Sequence, residues 1–222
     1  MRRSPLLTAS LERNPRLQPG LIANMEIAAQ SSNSVENTFL CDLSAVRKRL
    51  VVGEDTAAWL AEHIGHVPEK IFQAAPLSDD ALAIRVHHKQ WLVIDGNDSR
   101  RYDELFTLPT GAYGNVLLLD YECAEFALGG PQVDRVMSEF CPLPMADVEA
   151  HFWCATRMAH ADVVIIPDDM PSRHYRIMTT CADARFLYAI FSDALGELGG
   201  VQIGFEQYWQ EFRIIQEGAA KV

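Results

Sequence analysis

Long hydrophobic runs are missing from this 222-residue chain. A membrane-spanning helix needs about 20 successive apolar residues, and no stretch supplies them. Arg2 and Arg3 open the chain, but "PLLTASLERNP" behind them lacks the continuous apolar core of a signal peptide. The expected compartment is therefore the cytoplasm. Positive charge is also scarce, with 19 Lys and Arg against 30 Asp and Glu, a formal net charge of −11. The basic residues gather only in small groups (Arg47, Lys48, Arg49; Arg100, Arg101). A nucleic-acid binder concentrates them on one face, so nucleic acid is excluded as a partner.

Several chemical signatures are absent too. The five cysteines (Cys41, Cys123, Cys141, Cys154, Cys181) form no Cys-x-x-Cys pair and do not join histidines at zinc-finger spacing. They read as reduced core residues, since free cysteine is among the most buried types. Neither Gly-x-x-x-x-Gly-Lys-Ser/Thr nor Gly-x-Gly-x-x-Gly occurs, so no phosphate loop is signalled. No Gly-x-Ser-x-Gly nucleophile elbow is present either.

What remains is an ordinary globular composition, 49% apolar and 22% charged. Residues 1–37 are polar and read as an N-terminal arm with one short strand around Gly20 to Ile27. "FLCDLSAVRKRLVV" (Phe39 to Val52) reads as extended, with a turn near Ser44. Gly53 then releases a helix whose face is Ala57, Leu60, Ala61 and Ile64. "LAIRV" and "QWLVID" flank "HHK" as a hairpin, and Asp98 is placed to cap a helix running to Phe106.

The second half repeats this order. "NVLLLDYECAEFAL" (Asn115 to Leu128) is extended, and Gly129-Gly130-Pro131 releases a helix with Val133, Val136, Met137 and Phe140 on one face. Ala155 to Pro167 and His174 to Thr180 read as two strands around "DDMPSR". A helix from about Asp183 to Leu198 carries Phe186, Leu187, Ile190, Phe191, Ala194, Leu195 and Leu198 on one side, and Gly199 stops it. Gly53 aligns with Gly130, Arg85 with Arg157, Trp91 with Tyr175 and Asp98 with Ala182. The register changes only inside the hairpin turn, where insertions are best tolerated. A strand–helix–strand–strand–helix unit thus occurs twice, over 38–110 and 115–200. Gly129 and Gly130 occupy the slot of Gly53 and shape the backbone, and Pro131 suits a first helical turn.

"CDLSAVRKRLVVGEDTAAWL", "RVHHKQWLVID", "LDYECAEFALGGPQVDRVMSEFCPLPM", "ATRMAHADVVII" and "ADARFLYAIFSDALGELGG" resemble successive blocks of the gamma subunit of heterotetrameric sarcosine oxidase. That family is related to the N-methylglutamate dehydrogenase subunit and to the folate-binding domain of aminomethyltransferases. The resemblance runs from about Phe39 to Gly204. It implies an α+β fold of two tandem ferredoxin-like units forming one body, within a domain spanning 38–204. It also implies a structural subunit without chemistry of its own, in a complex that oxidatively demethylates an N-methyl amino acid such as sarcosine and passes the carbon to tetrahydrofolate. FAD, FMN, NAD, tetrahydrofolate and zinc are then expected in alpha, beta and delta-type partner subunits, with none bound by this chain. A free-standing folate-binding protein of the same superfamily is the alternative, and a self-assembling scaffold a third reading.

The residues assign no catalytic, cofactor or metal site. His87 and His88 read as a solvated turn. His160 follows Arg157 by three positions in one strand, so the two side chains point to opposite faces. Arg157 reads as an ion-pair partner, and Asp168 and Asp169 as hydrated loop residues. In a C-terminal helix over 205–222, Phe205, Tyr208, Trp209, Phe212 and Ile215 form an aromatic stripe. It docks either on its own core or on a partner, where Trp and Tyr are enriched at hot spots.

Overall fold

The computed structural model describes residues 2–32, 36–77, 80–96, 100–150, 152–169 and 172–211. The chain divides into two compact units. The first comprises Met1–Ala45, Cys123–Ala150 and Cys154–Val222, and the second Val46–Glu122 with His151–Trp153.

The second unit is built on a six-stranded antiparallel sheet. Its strands lie in the order Ala74–Pro76, Leu82–His87, Gln90–Ile94, Lys48–Gly53, Val116–Asp120, Gly111–Tyr113. Along the chain, strand Lys48–Gly53, helix Thr56–Ile64, the hairpin strands Leu82–His87 and Gln90–Ile94, helix Asp103–Thr107 and strand Val116–Asp120 make a βαββαβ ferredoxin-like unit. Alternate strand residues Val51, Ala83, Trp91, Val93, Val116 and Leu118 share one buried cluster with Leu60, Ile64, Leu105 and Phe106 of the helices. The period-two pattern of the strands thus meets the period-3.6 stripe of the helices. Gly53 sits at φ +144°, and a Cβ there would lie 1.9 Å from the Asn115 carbonyl oxygen. Only glycine fits the exit from that strand.

The first unit repeats the plan around the order Cys154–Met158, Ala161–Asp168, His174–Thr179, Ala124–Gly129, Phe39–Asp42, Val201–Ile203. All neighbours are antiparallel except the last pair, which is parallel. Helices Val133–Phe140 and Cys181–Glu197 cover one face through Val133, Val136, Met137, Leu187, Tyr188 and Phe191, packed on Phe126, Leu128, Tyr175 and Ile177. Thr180 caps the longer helix by accepting from the Asp183 N–H.

The α+β fold of two ferredoxin-like units is the expected one, but strands are exchanged between them. The place beside Ala124–Gly129 is filled by Phe39–Asp42, from the start of the expected first repeat. The matching place in the second unit is filled by Val116–Asp120, from the start of the second repeat. "FLCDLSAVRKRLVV" and "NVLLLDYECAEFAL" are therefore each two strands belonging to two sheets. Asp42 breaks the first by accepting the Ser44 N–H at 2.9 Å, an Asx turn that competes with strand pairing.

Other expectations are corrected. Residues 1–37 are not an arm with one strand. They hold strand Arg2–Arg3, helix Leu7–Arg13 and strands Gln18–Ile22 and Met25–Gln30, the three strands forming a sheet of their own. Leu7, Leu17 and Ala28 form a small buried cluster there, diluted by polar neighbours in the sequence, while Leu6 joins the main core. The hairpin turns at Ala23 and Asn24, both at positive φ, as a two-residue primed turn requires. The expected cap Asp98 lies outside the described residues, and the helix there is Asp103–Thr107 after a 3-10 turn at Arg100–Tyr102. Phe186 is exposed rather than on the buried helix face. Residues 205–211 are helical, whereas Phe212 and Ile215 lie outside the described residues.

Candidate functional site

The residues singled out from the sequence are not brought together. His87 and His88 are exposed at the end of the Leu82–His87/Gln90–Ile94 hairpin, with rings edge-on at 5.3 Å. His160 is not within a strand. Ala159 and His160 are the two residues of a tight turn, at φ 46° and 74°, between Cys154–Met158 and Ala161–Asp168. Histidine is one of the residues enriched in that left-handed region. Arg157 pairs with Asp162 at 2.8 Å on the surface. Asp168 ends a strand, and Asp169 pairs with Arg173 at 2.6 Å. Among the described residues, no group of three or more His, Cys, Asp or Glu could hold a metal ion.

The polar chemistry of the first unit lies elsewhere, on the sheet face opposite helices Val133–Phe140 and Cys181–Glu197. Even-and-odd alternation places Phe39 and Cys41, Glu125 and Ala127, and His174, Arg176 and Met178 on that face. Arg176 Nε donates to Glu125 Oε1 at 2.6 Å. The register pairs Glu125 with Met178, so Arg176 reaches it diagonally across the strands. His174 Nδ1 contacts the Ser172 carbonyl at 3.0 Å, which makes Nδ1 the protonated nitrogen. Its Nε2 is left to accept from the Tyr208 hydroxyl at 3.3 Å. Tyr208 also sets its ring 6.2 Å from Phe39. The helical residues 205–211 are thereby fastened to this face, with Phe205, Tyr208 and Trp209 buried. The aromatic stripe, as far as it is described, docks on its own unit.

Gly129 makes this packing possible. A Cβ there would come within 2.7 Å of both His174 Cβ and the Phe39 ring. Gly130, at φ +100°, turns the chain beside Asn37 and Thr38. Both glycines shape the backbone, as their alignment with Gly53 suggested.

The electrostatics hold these groups in fixed states. Burial pushes the His174 imidazole below its ordinary value; Asp168 and Asp169 oppose that shift, and Arg176 adds to it. Burial likewise raises the Tyr208 phenol, keeping it protonated. Burial works against the charge on Arg176, but Glu125, with Tyr208 and Asp168, more than offsets it. A neutral histidine, a neutral tyrosine and a compensated ion pair, all buried, lie where residues 205–211 dock. The sequence signal for them was available: a Glu inside "AEFALG" and a His and Arg inside "HYRIMT", charged or titratable residues within apolar strands.

No protein-family model matches this chain, and no curated protein matches it. Among solved structures, glycine cleavage system aminomethyltransferase T from Bartonella henselae superposes with a TM-score of 0.70 at 16% identity, covering 93% of this chain and 60% of that one. A chain of heterotetrameric sarcosine oxidase from Corynebacterium sp. U-96, solved with pyrrole 2-carboxylate, superposes with a TM-score of 0.64 at 15% identity. It covers 88% of this chain and 95% of the oxidase chain. The fold is theirs. The present chain thus spans about three-fifths of the aminomethyltransferase but nearly the whole oxidase chain.

Proposed function

We propose that this chain is a non-catalytic structural subunit of a multi-subunit, flavin-dependent oxidase or dehydrogenase that demethylates an N-methyl amino acid. The observation that carries this reading is the reciprocal coverage with the sarcosine oxidase chain, 88% of one and 95% of the other. A chain of matching length and fold is a component of that assembly, whereas the aminomethyltransferase continues well beyond the shared region. The anchored, fully buried polar network agrees with a role in architecture. Under this reading the flavins, the dinucleotide, the folate and a zinc ion belong to alpha, beta and delta-type partner chains. The substrate's N-methyl hydride would go to flavin there, and the methylene carbon to tetrahydrofolate. This chain would hold those subunits in register.

The test is purification of the tagged full-length chain from its native cells. The expected result is a complex of several chains that absorbs as a flavoprotein and oxidises sarcosine or another N-methyl amino acid, while the chain expressed alone does neither. A chain that purifies alone from its native cells overturns the reading.

A second reading is favoured by the higher TM-score to the aminomethyltransferase: a free-standing folate-binding protein. Calorimetric titration of the chain alone with tetrahydrofolate decides it. Saturable micromolar binding supports the second reading, and no heat of binding removes it.

A further inference from the structure

The first unit contains a cleft of about 290 Å³, near the lower end of ligand-site volumes. Helix Leu7–Arg13 and the turn after it contribute Arg13, Asn14 and Arg16. Helix Cys181–Glu197 contributes Ser192 and Gly196, and strand Val201–Ile203 contributes Gln202. Arg13 is paired with Asp193, so its charge is met within the chain. The negative end of helix Cys181–Glu197 opposes an anion, and two of its last carbonyls are partly offset by hydrogen bonds. The Leu195 carbonyl accepts from Leu198 and Gly200 N–H at 3.0 and 2.8 Å, and that of Gly196 accepts from Gly199 at 3.3 Å. Gln202 Nε2 donates to Ser192 Oγ at 3.0 Å, and the Ser192 hydroxyl donates to the Tyr188 carbonyl at 2.7 Å. Arg16 is left with no ion-pair partner among the described residues. Its place at the rim is fixed by Asn14, whose Oδ1 accepts the Arg16 N–H at 3.0 Å while Nδ2 donates to the Gln202 carbonyl at 3.2 Å.

Gly196 supplies a second, independent observation. It lies inside the helix, where glycine is a poor residue, and a Cβ there would meet nothing within 4 Å. Sterics and helix propensity both favour a side chain, and its absence keeps the cleft open.

We infer that this cleft binds a small organic anion, a carboxylate or phosphate monoester that takes its charge-assisted hydrogen bonds from Arg16. The guanidinium fork suits either group. The inference stands apart from the assembly role, since it concerns binding within one unit and requires no partner.

The experiment titrates the full chain with inorganic phosphate and, separately, with succinate, by calorimetry at constant ionic strength. Three variants are compared: Arg16→Gln, Gly196→Leu, which fills the cleft, and Arg157→Gln, an exposed arginine elsewhere, as control. The expected result is saturable one-to-one binding of at least one probe, weakened by about tenfold or more in Arg16→Gln and in Gly196→Leu, and unchanged in Arg157→Gln. Phosphate alone binding assigns a phosphate ligand, and succinate alone assigns a carboxylate. Failure of both probes to saturate overturns the inference. So does equal binding by Arg16→Gln, which rests on an exposed side chain and remains decisive should Gly196→Leu fold poorly.

Discussion

Arg176 and Glu125 meet inside the first unit with Nε and Oε1 2.6 Å apart, their side chains 4% and 0% exposed. Two ions held away from water are costly to desolvate, and their attraction offsets that cost only while both are present. Glu125→Ala should therefore cost about 3–5 kcal/mol, because it strands the guanidinium. The double variant Glu125→Leu, Arg176→Met should regain most of that loss. Urea midpoints of the two variants and the parent check this. A double variant no more stable than Glu125→Ala would show that the pair is not the source of the effect.

The neighbouring His174 gives the first unit a pH dependence with a definite sign. Its folded pKa lies below the ordinary value of 6.5, because burial penalises the imidazolium and Arg176 repels it, while Asp168 and Asp169 pull the other way. The unfolded chain therefore binds the proton more readily. The stability this contributes is present above pH 6.5 and is lost as the pH falls toward the folded value. Denaturation midpoints measured from pH 8 downward should decline below about pH 6.5. The decline should be shallower in His174→Gln. A slope that is unchanged in that variant would assign the effect to other groups.

Tyr208 joins that histidine to the helical residues 205–211. Tyr208→Phe removes the hydrogen bond from the hydroxyl to His174, at a cost of about 0.5–1.5 kcal/mol. Tyr208→Ala also forfeits the ring's packing near Phe39, and the loss should rise to about 3–5 kcal/mol. Thermal unfolding of the two variants should keep that order. If Tyr208→Ala proved as stable as the parent, docking on the unit's own face would not be what holds this segment.

Gly130 and Gly196 should respond oppositely to alanine. At Gly130 the backbone stands at φ +100°, and a Cβ would come within 2.6 Å of the Asn37 carbonyl oxygen. Gly130→Ala should cost about 2 kcal/mol or more. At Gly196 the backbone is helical and the surrounding space open, so Gly196→Ala should stabilise by up to about 1 kcal/mol. Chemical denaturation of both variants separates the two cases.

What was legible in the sequence was local. The equivalence of Gly53 and Gly130 could be read because a positive-φ exit from a strand leaves a glycine in the chain itself. The "HHK" turn and the long helix after Thr180 were legible for the same reason, since their signals sit within one turn or one helical stripe. The strand exchange was not, because pairing Phe39–Asp42 with Ala124–Gly129 depends on residues far apart in sequence. The break at His160 was hidden because "ATRMAHADVVIIP" has no glycine or proline at its turn, and two ordinary residues take the left-handed conformation instead. Glu125 and Arg176 were missed as a pair for a related reason. They stand 51 positions apart, and only the register of a sheet makes them diagonal neighbours.

The cysteines offer a probe of this architecture that needs no substitution. Thiolate, not thiol, attacks a disulfide reagent, so reactivity follows exposure and pKa together. Cys181 is exposed at the start of its helix. Cys41 is fully buried, and burial, helped by Asp42, raises its thiol well above the ordinary value. Cys154 is pushed up to about 11 by burial, with Cys141 adding to the shift. An aromatic disulfide reagent at pH 8 should therefore modify Cys181 first. Cys41 should react only at the rate of unfolding, since its sheet face must open before the reagent can enter. Mass mapping of the modified peptides against time orders the sites. Early labelling of Cys41 would mean that the face carrying Phe39, Glu125 and His174 opens readily, and that residues 205–211 do not cover it.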